Sequence, residues 1–181
     1  MSAKSLLANV LHAVGWASCS VIALGMPAGA QAQFGYMTNA DDTNTITITN
    51  YTGPGGVVTI PTNINGLNIA SIGAGAFHGC SNVTSVTIPD SVTCIEEEAF
   101  GACSSLTNIM IGRSVTNIGQ WAFVLCTNLT SAYFKGNAPG GDWYNEYGPD
   151  CPPFEGDYLA TAYYVPRASG WESIYGYVLI Y

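Results

Sequence analysis

The residues able to do chemistry are few, and their spacing is informative. The chain carries 2 histidines, His12 and His78. A Ser-His-Asp or Cys-His nucleophilic site beyond the leader would have to use His78, and no nucleophile elbow accompanies it. Glu96, Glu97 and Glu98 offer carboxylates for acid–base work, but three adjacent like charges are more simply a solvated wall. Asp142, Glu146, Asp150, Glu155 and Asp157 crowd one segment rich in oxygen ligands. Their spacing is neither that of an EF-hand nor of a Gly-Gly-x-Gly-x-Asp repeat, so no calcium site is assigned. Without a Cys-x-x-Cys or a His cluster there is no zinc pattern, and neither metal nor cofactor is expected.

Of the 6 cysteines, Cys80, Cys103 and Cys126 recur with a constant 23-residue period. An even disulfide framework would not produce that spacing; a repeated structural position would. Written by this period, the chain reads ASIGAGAFHGCSNVTSVTIPDSV (70–92), TCIEEEAFGACSSLTNIMIGRSV (93–115) and TNIGQWAFVLCTNLTSAYFKGNA (116–138). Ile72, Ile95 and Ile118 share a column. So do Phe77, Phe100 and Phe123, each preceded by alanine. Val83, Leu106 and Leu129 lead into Val86, Ile109 and Ala132, then Ile88, Ile111 and Phe134. The alternation in these last positions predicts a strand with one buried face.

A unit this short cannot bury its apolar side alone. Stacked on its neighbours it makes each column a continuous internal ladder and each strand a member of a parallel sheet. Beyond the regular part, Val58-Thr59-Ile60-Pro61 repeats Val86-Thr87-Ile88-Pro89 at an interval wider than the regular period, with the excess near Asn65-Gly66, a turn signal. Thr45–Thr49 alternates and predicts a capping strand. Downstream, Ala160-x-x-Tyr163-x-Val165 is aligned with Leu129-x-x-Ala132-x-Phe134 after an expanded turn over 139–157. The expected architecture is β-rich, with about five turns of which the outer two are imperfect.

The stretch 1–32 has another character. Lys4, the apolar run Val14–Leu24 and Ala30-Gln31-Ala32 follow the order of a secretory signal peptide, and the run is shorter than a membrane span. The expected organisation is therefore 1–32 signal peptide, 33–69 N-terminal cap and first imperfect turn, 70–138 regular repeats, and 139–181 divergent last turn and C-terminal cap. After residue 32, Arg113, Lys135 and Arg167 stand against all 12 acids. That balance excludes nucleic acid as a partner and electrostatic attachment to anionic lipid. The mature chain contains no second apolar span. Cys94 and Cys151 fall outside the cysteine ladder, paired or free.

The units Ser71-Ile72-Gly73-x-x-Ala76-Phe77-x-x-Cys80-x-x-Val83-Thr84-Ser85-Val86-Thr87-Ile88-Pro89 resemble the BspA-like leucine-rich repeat family. Tyr51-Thr52-Gly53-Pro54-Gly55-Gly56 and the closing Tyr163-Tyr164-Val165-Pro166 with Gly170-Trp171 are similar to bacterial members as well. The resemblance implies a right-handed leucine-rich-repeat solenoid with the parallel sheet on its concave face, exported or held at a cell surface, binding ligands or adhering. It brings no catalytic residues. Gly112 and Lys135 depart from the proline of the repeat, and Ala132 thins one column.

On this reading the outward column of the concave sheet is Thr59, Thr87, Met110, Tyr133, Tyr164, changing from hydroxyls to large contact-rich side chains. All of the 11 tyrosines but Tyr36 and Tyr51 lie at or beyond residue 133, as does Trp143. Amphipathic rings suit recognition surfaces. Met110, Tyr133, Tyr164 and Trp143 are thus the candidate binding residues of a non-catalytic scaffold whose partner is a protein or a glycan. A carbohydrate module would expose Tyr133, Tyr164 and Trp143 in one plane, whereas a passive envelope component would bury them in the cap.

Overall fold

Each repeat contains two apolar segments joined by tight turns, and both are covered when the chain runs out along one sheet and back along another. The computed structural model describes residues 33–141, 152–157, 160–171 and 179–180, and has this arrangement. In chain order the strands are β1 (Phe34–Thr38), β2 (Thr45–Tyr51), β3 (Gly56–Thr59), β4 (Asn63–Ile64), β5 (Leu67–Ile72), β6 (Val83–Thr87), β7 (Cys94–Ile95), β8 (Asn108–Ile111), β9 (Asn117–Ile118), β10 (Ser131–Phe134), β11 (Thr161–Tyr164) and β12 (Leu179–Ile180). One sheet runs β1-β2-β5-β7-β9, with β4 folded onto β5; the other runs β3-β6-β8-β10-β11-β12. Apart from the antiparallel pairs β1/β2 and β4/β5, every strand pairing among the described residues is parallel. There is no α-helix among the described residues.

The repeat offset recurs in the hydrogen bonds. Thr107 and Thr130 hydroxyls donate to the carbonyls of Thr84 and Thr107, each one repeat earlier, at 3.0 Å. The backbone N–H of the same threonine reaches the same carbonyl at 2.9 Å. A threonine thus binds the preceding turn twice, and its β-branch also suits an extended backbone.

Between the sheets lie the side chains of the repeat columns. Ile72, Ile95 and Ile118 are wholly buried, and Ile48 joins them through its register with Ile72. The phenylalanines form a spine of rings. Tyr51 stacks on Phe77 (4.9 Å), Phe77 on Phe100 (4.8 Å), Phe100 on Phe123 (5.4 Å) and Phe123 on Phe154 (4.9 Å). The spine therefore extends one turn further at each end than the Phe77, Phe100, Phe123 column. Phe123 N–H donates to Pro153 O at 2.7 Å, as Phe100 N–H does to Ala122 O, so Pro153-Phe154 takes the Ala-Phe place of the repeat.

Two features differ from the expectation. Thr45–Thr49 lies within β2 but does not end the stack, because β1 pairs along its outer edge. And the last outward column is shifted by one. Ala132 pairs with Ala162, Tyr133 with Tyr163 and Phe134 with Tyr164. Tyr164 therefore continues the inward Phe134 position, while Tyr163 stands outside. Ala160 N–H bonds to Asp157 O as Leu129 N–H does to Cys126 O, which keeps Ala160 in the Leu129 column. The last turn is one residue shorter between that column and its strand. A one-residue slip exchanges the two faces of a strand, which is why a small spacing error inverted the roles of the two tyrosines.

Backbone requirements recur as well. Gly79 (φ 71°), Ala102 (φ 55°), Leu125 (φ 58°) and Gly156 (φ 85°) adopt the same left-handed turn conformation in successive turns. The Asn65-Gly66 signal forms the turn between β4 and β5, with φ of 54° and 82°.

Candidate functional site

The outward side of the sheet containing β6, β8, β10 and β11 carries two columns. One is polar, passing through Ser85, Asn108, Ser131 and Thr161, and Ser85 Oγ donates to Asn108 Oδ1 at 2.6 Å. The other passes from Thr59 and Thr87 to Met110, Tyr133 and Tyr163, in which the last three are 38%, 43% and 37% exposed. Tyr133 and Tyr163 stack at 5.0 Å with an interplanar angle of 17°. Their broad faces meet each other, so edges and hydroxyl tips are turned outward. Beside them Lys135, Val165 and Pro166 complete a shallow open cleft of about 270 Å³.

Of the candidate binding residues, Met110 and Tyr133 stand together on this strip. Tyr164 stacks instead on the buried Trp171 at 5.1 Å and 7°, and Trp171 meets Phe134 edge-on at 4.7 Å. Trp143 lies outside the described residues. The arrangement of Tyr133 and Tyr164 in a common exposed plane does not form. Tyr163, the residue overlooked, was detectable only by noticing that Pro153-Phe154-x-x-Asp157 continues Ala122-Phe123-x-x-Cys126 and counting onward from there. The two adjacent tyrosines should separate experimentally. Tyr164→Ala is expected to cost about 2 kcal/mol in urea unfolding, as a half-buried aromatic stacked on the core does. Tyr163→Ala, at an exposed site, should cost well under about 1 kcal/mol. Equal costs would contradict the register.

The groups able to do chemistry are engaged elsewhere. His78 Nε2 lies 3.4 Å from Glu98, both well exposed. Glu96 is tied down rather than simply solvated, accepting from Ser71 Oγ at 2.7 Å and from Ala74 N–H at 3.1 Å. Glu155 accepts from Trp121 Nε1 at 2.6 Å. Asp90 accepts from the backbone N–H of Arg113 at 3.0 Å and from its Nε at 2.7 Å. These bonds hold the Asp90 carboxyl below the usual carboxylate range. Cys80, Cys94, Cys103 and Cys126 are free. Cys103 and Cys126 are fully buried, their thiols donating to Phe77 O and Phe100 O at 3.1 Å. Hydrogen bonding to Cys103, then burial, pushes the Cys126 thiol well up, and burial raises Cys80 to about 11. The raised thiols of Cys80 and Cys126 are not nucleophiles at neutral pH, whereas hydrogen bonding to Cys126 lowers Cys103, which is nonetheless fully buried in the core. Cys151, Asp142, Glu146 and Asp150 lie outside the described residues.

The last turn puts Asp157 at the cysteine position, 2% exposed, with both carboxylate oxygens lacking a hydrogen-bond partner. Burial pushes its carboxyl up to about 8. Glu155 faces out and Asp157 faces in, so these two neighbours share no ligand site. Among the described residues no cluster of three or more His, Cys, Asp or Glu is placed to hold a metal. No helix among them is long and apolar enough to cross a membrane.

The family model described as BspA type leucine rich repeat region matches residues 57–139 in 6 copies. Solved structures of similar fold are leucine-rich repeat proteins. One from T. pallidum is 26% identical with a TM-score of 0.59, over 76% of this chain and 64% of that one. One from Bacteroides capillosus is 25% identical with a TM-score of 0.56, over 74% of this chain and 94% of that one. One from Bacteroides ovatus is 26% identical with a TM-score of 0.54, over 82% of this chain and 39% of that one. This chain thus spans just under two thirds of the T. pallidum protein. No curated protein matches it.

Proposed function

We propose that this chain, whose residues 57–139 match the BspA type leucine rich repeat model, is a member of that family and an exported scaffold that binds a partner protein and performs no catalysis. In this reading residues 1–32 are a signal peptide. The remainder is a right-handed solenoid of about five turns, and the sheet carrying β6, β8, β10 and β11 lines its concave wall. Residues 33–69 and 139–181 close its two ends.

The carrying observation is the Met110–Tyr133–Tyr163 strip, where three large side chains stay exposed side by side on β8, β10 and β11, next to a column of serine, asparagine and threonine. Exposed apolar and aromatic side chains that cluster mark interaction sites. Because Tyr133 and Tyr163 turn their faces towards each other, they offer no flat platform for a sugar ring, which favours a protein partner. A protein and glycan array probed with the full chain, beside a Tyr133→Ala/Tyr163→Ala variant, tests the reading. The expected result is protein hits that the double variant loses by about 100-fold, as two hot-spot aromatics would. Protein hits kept by a folded double variant would place the site elsewhere.

A further inference from the structure

The cations of this acidic protein have a particular position. Past residue 4, its Lys and Arg residues are Arg113, Lys135 and Arg167. Arg113 follows β8, Lys135 follows β10 and Arg167 follows β11 by three residues, so all three flank the ends of adjacent strands of one sheet. Arg113 is engaged by Asp90. Among the described residues no carboxylate lies within ion-pair distance of Lys135 or Arg167. The other described acids belong to different places: Asp41 and Asp42 precede β2, Glu96 to Glu98 follow β7, Glu155 binds Trp121 and Asp157 is buried.

Lys135 lines the same cleft as Met110, Tyr133, Tyr163 and Pro166, and Arg167 is the next residue along. Lys135 on the cleft and Arg167 one residue beyond it stand beside an apolar strip, neither within ion-pair distance of a described carboxylate and with nearby Asp90 engaged by Arg113. On a chain of formal net charge −8, this arrangement is complementary to an anionic ligand with apolar side chains. Resting on the binding role proposed above, we propose that this cleft docks an acidic, extended peptide segment of the partner protein. Apolar side chains of the segment lie on Met110, Tyr133 and Tyr163, and its carboxylates meet Lys135 and Arg167. The chain's general negative charge then turns acidic peptides away from every other face.

The test measures fluorescence anisotropy of a labelled peptide alternating glutamate and leucine, beside its glutamine counterpart, with the full chain. Roughly tenfold tighter binding of the acidic peptide is expected, the joint effect of two partly exposed charge pairs. The preference should vanish at about 0.5 M salt and in Lys135→Gln/Arg167→Gln, which keeps the aromatic strip. Equal binding of both peptides, lost in Tyr133→Ala, overturns the acidic partner while leaving the strip as a binding surface. Binding of neither peptide, with array hits intact, overturns the peptide occupant; an empty array as well removes the binding role itself. Polygalacturonate binding that the Lys135→Gln/Arg167→Gln change abolishes, with no peptide binding, makes the ligand an acidic polysaccharide and overturns the proposal. So does self-association suppressed by the same change, which makes the occupant a second copy.

Discussion

At about pH 8.5, an Asp157→Cys variant should resist urea better than the unaltered chain by about 2–3 kcal/mol, the typical cost of a buried ionised group without a partner. The cysteine column shows how this position is normally satisfied. Cys103 and Cys126 each donate a thiol hydrogen to the carbonyl of the phenylalanine one turn earlier. A cysteine at 157 meets Phe123 in the same way, whereas an ionised aspartate has no hydrogen to give.

The pH dependence has a definite sign. Folded Asp157 keeps its proton up to about 8, and the unfolded chain releases it near 3.8. Between those values the folded state binds more protons, so stability falls as pH rises. The contribution is complete below the unfolded value and gone once pH passes the folded one. Asp90 acts oppositely: its depressed carboxyl contributes above the ordinary carboxylate range and is lost only in acid. Urea midpoints of the unaltered chain at about pH 5, 7 and 8.5 should descend, and Asp157→Asn should flatten the descent. A flat profile in the unaltered chain, or an equal slope in Asp157→Asn, would show that this carboxyl is not buried as described.

Phe100→Ala should be the most damaging single truncation in the stack, at about 4–5 kcal/mol. The ring is fully buried with Phe77 on one face and Phe123 on the other, so removal opens a cavity and ends two stacking contacts. Repeat proteins hold together through nearest-neighbour interfaces, and a gap in the middle also uncouples the two halves. The expected trace is a lower midpoint with a broader transition. Met110→Ala, on the exposed strip, serves as the control at under about 1 kcal/mol. If the two variants unfolded alike, the spine would not be the element that couples the turns.

The columns of Ile72, Phe77 and Cys80 were legible because a unit that cannot bury its own apolar side must repeat that side at each turn. The exposed end of that logic, Met110 followed by Tyr133, was legible as well, since it follows from alternation within regular units. Legibility failed where the period changed. Phe154 and Asp157 occupy repeat positions, but Asp157 stands where a thiol had been, and pattern matching by residue type passes over such a substitution. β1 escaped notice because it pairs antiparallel and carries no repeat signature.

The sequence by itself determined the turn length, the parallel pairing of neighbouring units and the composition of the core, since these follow from local alternation summed over identical units. Tertiary structure alone decided which tyrosine faces out, what Asp157 is buried against and which strand ends carry the cations. Those depend on a one-residue shortening before β11 and on the meeting of side chains a full turn or more apart along the chain, whose geometry only the assembled stack defines.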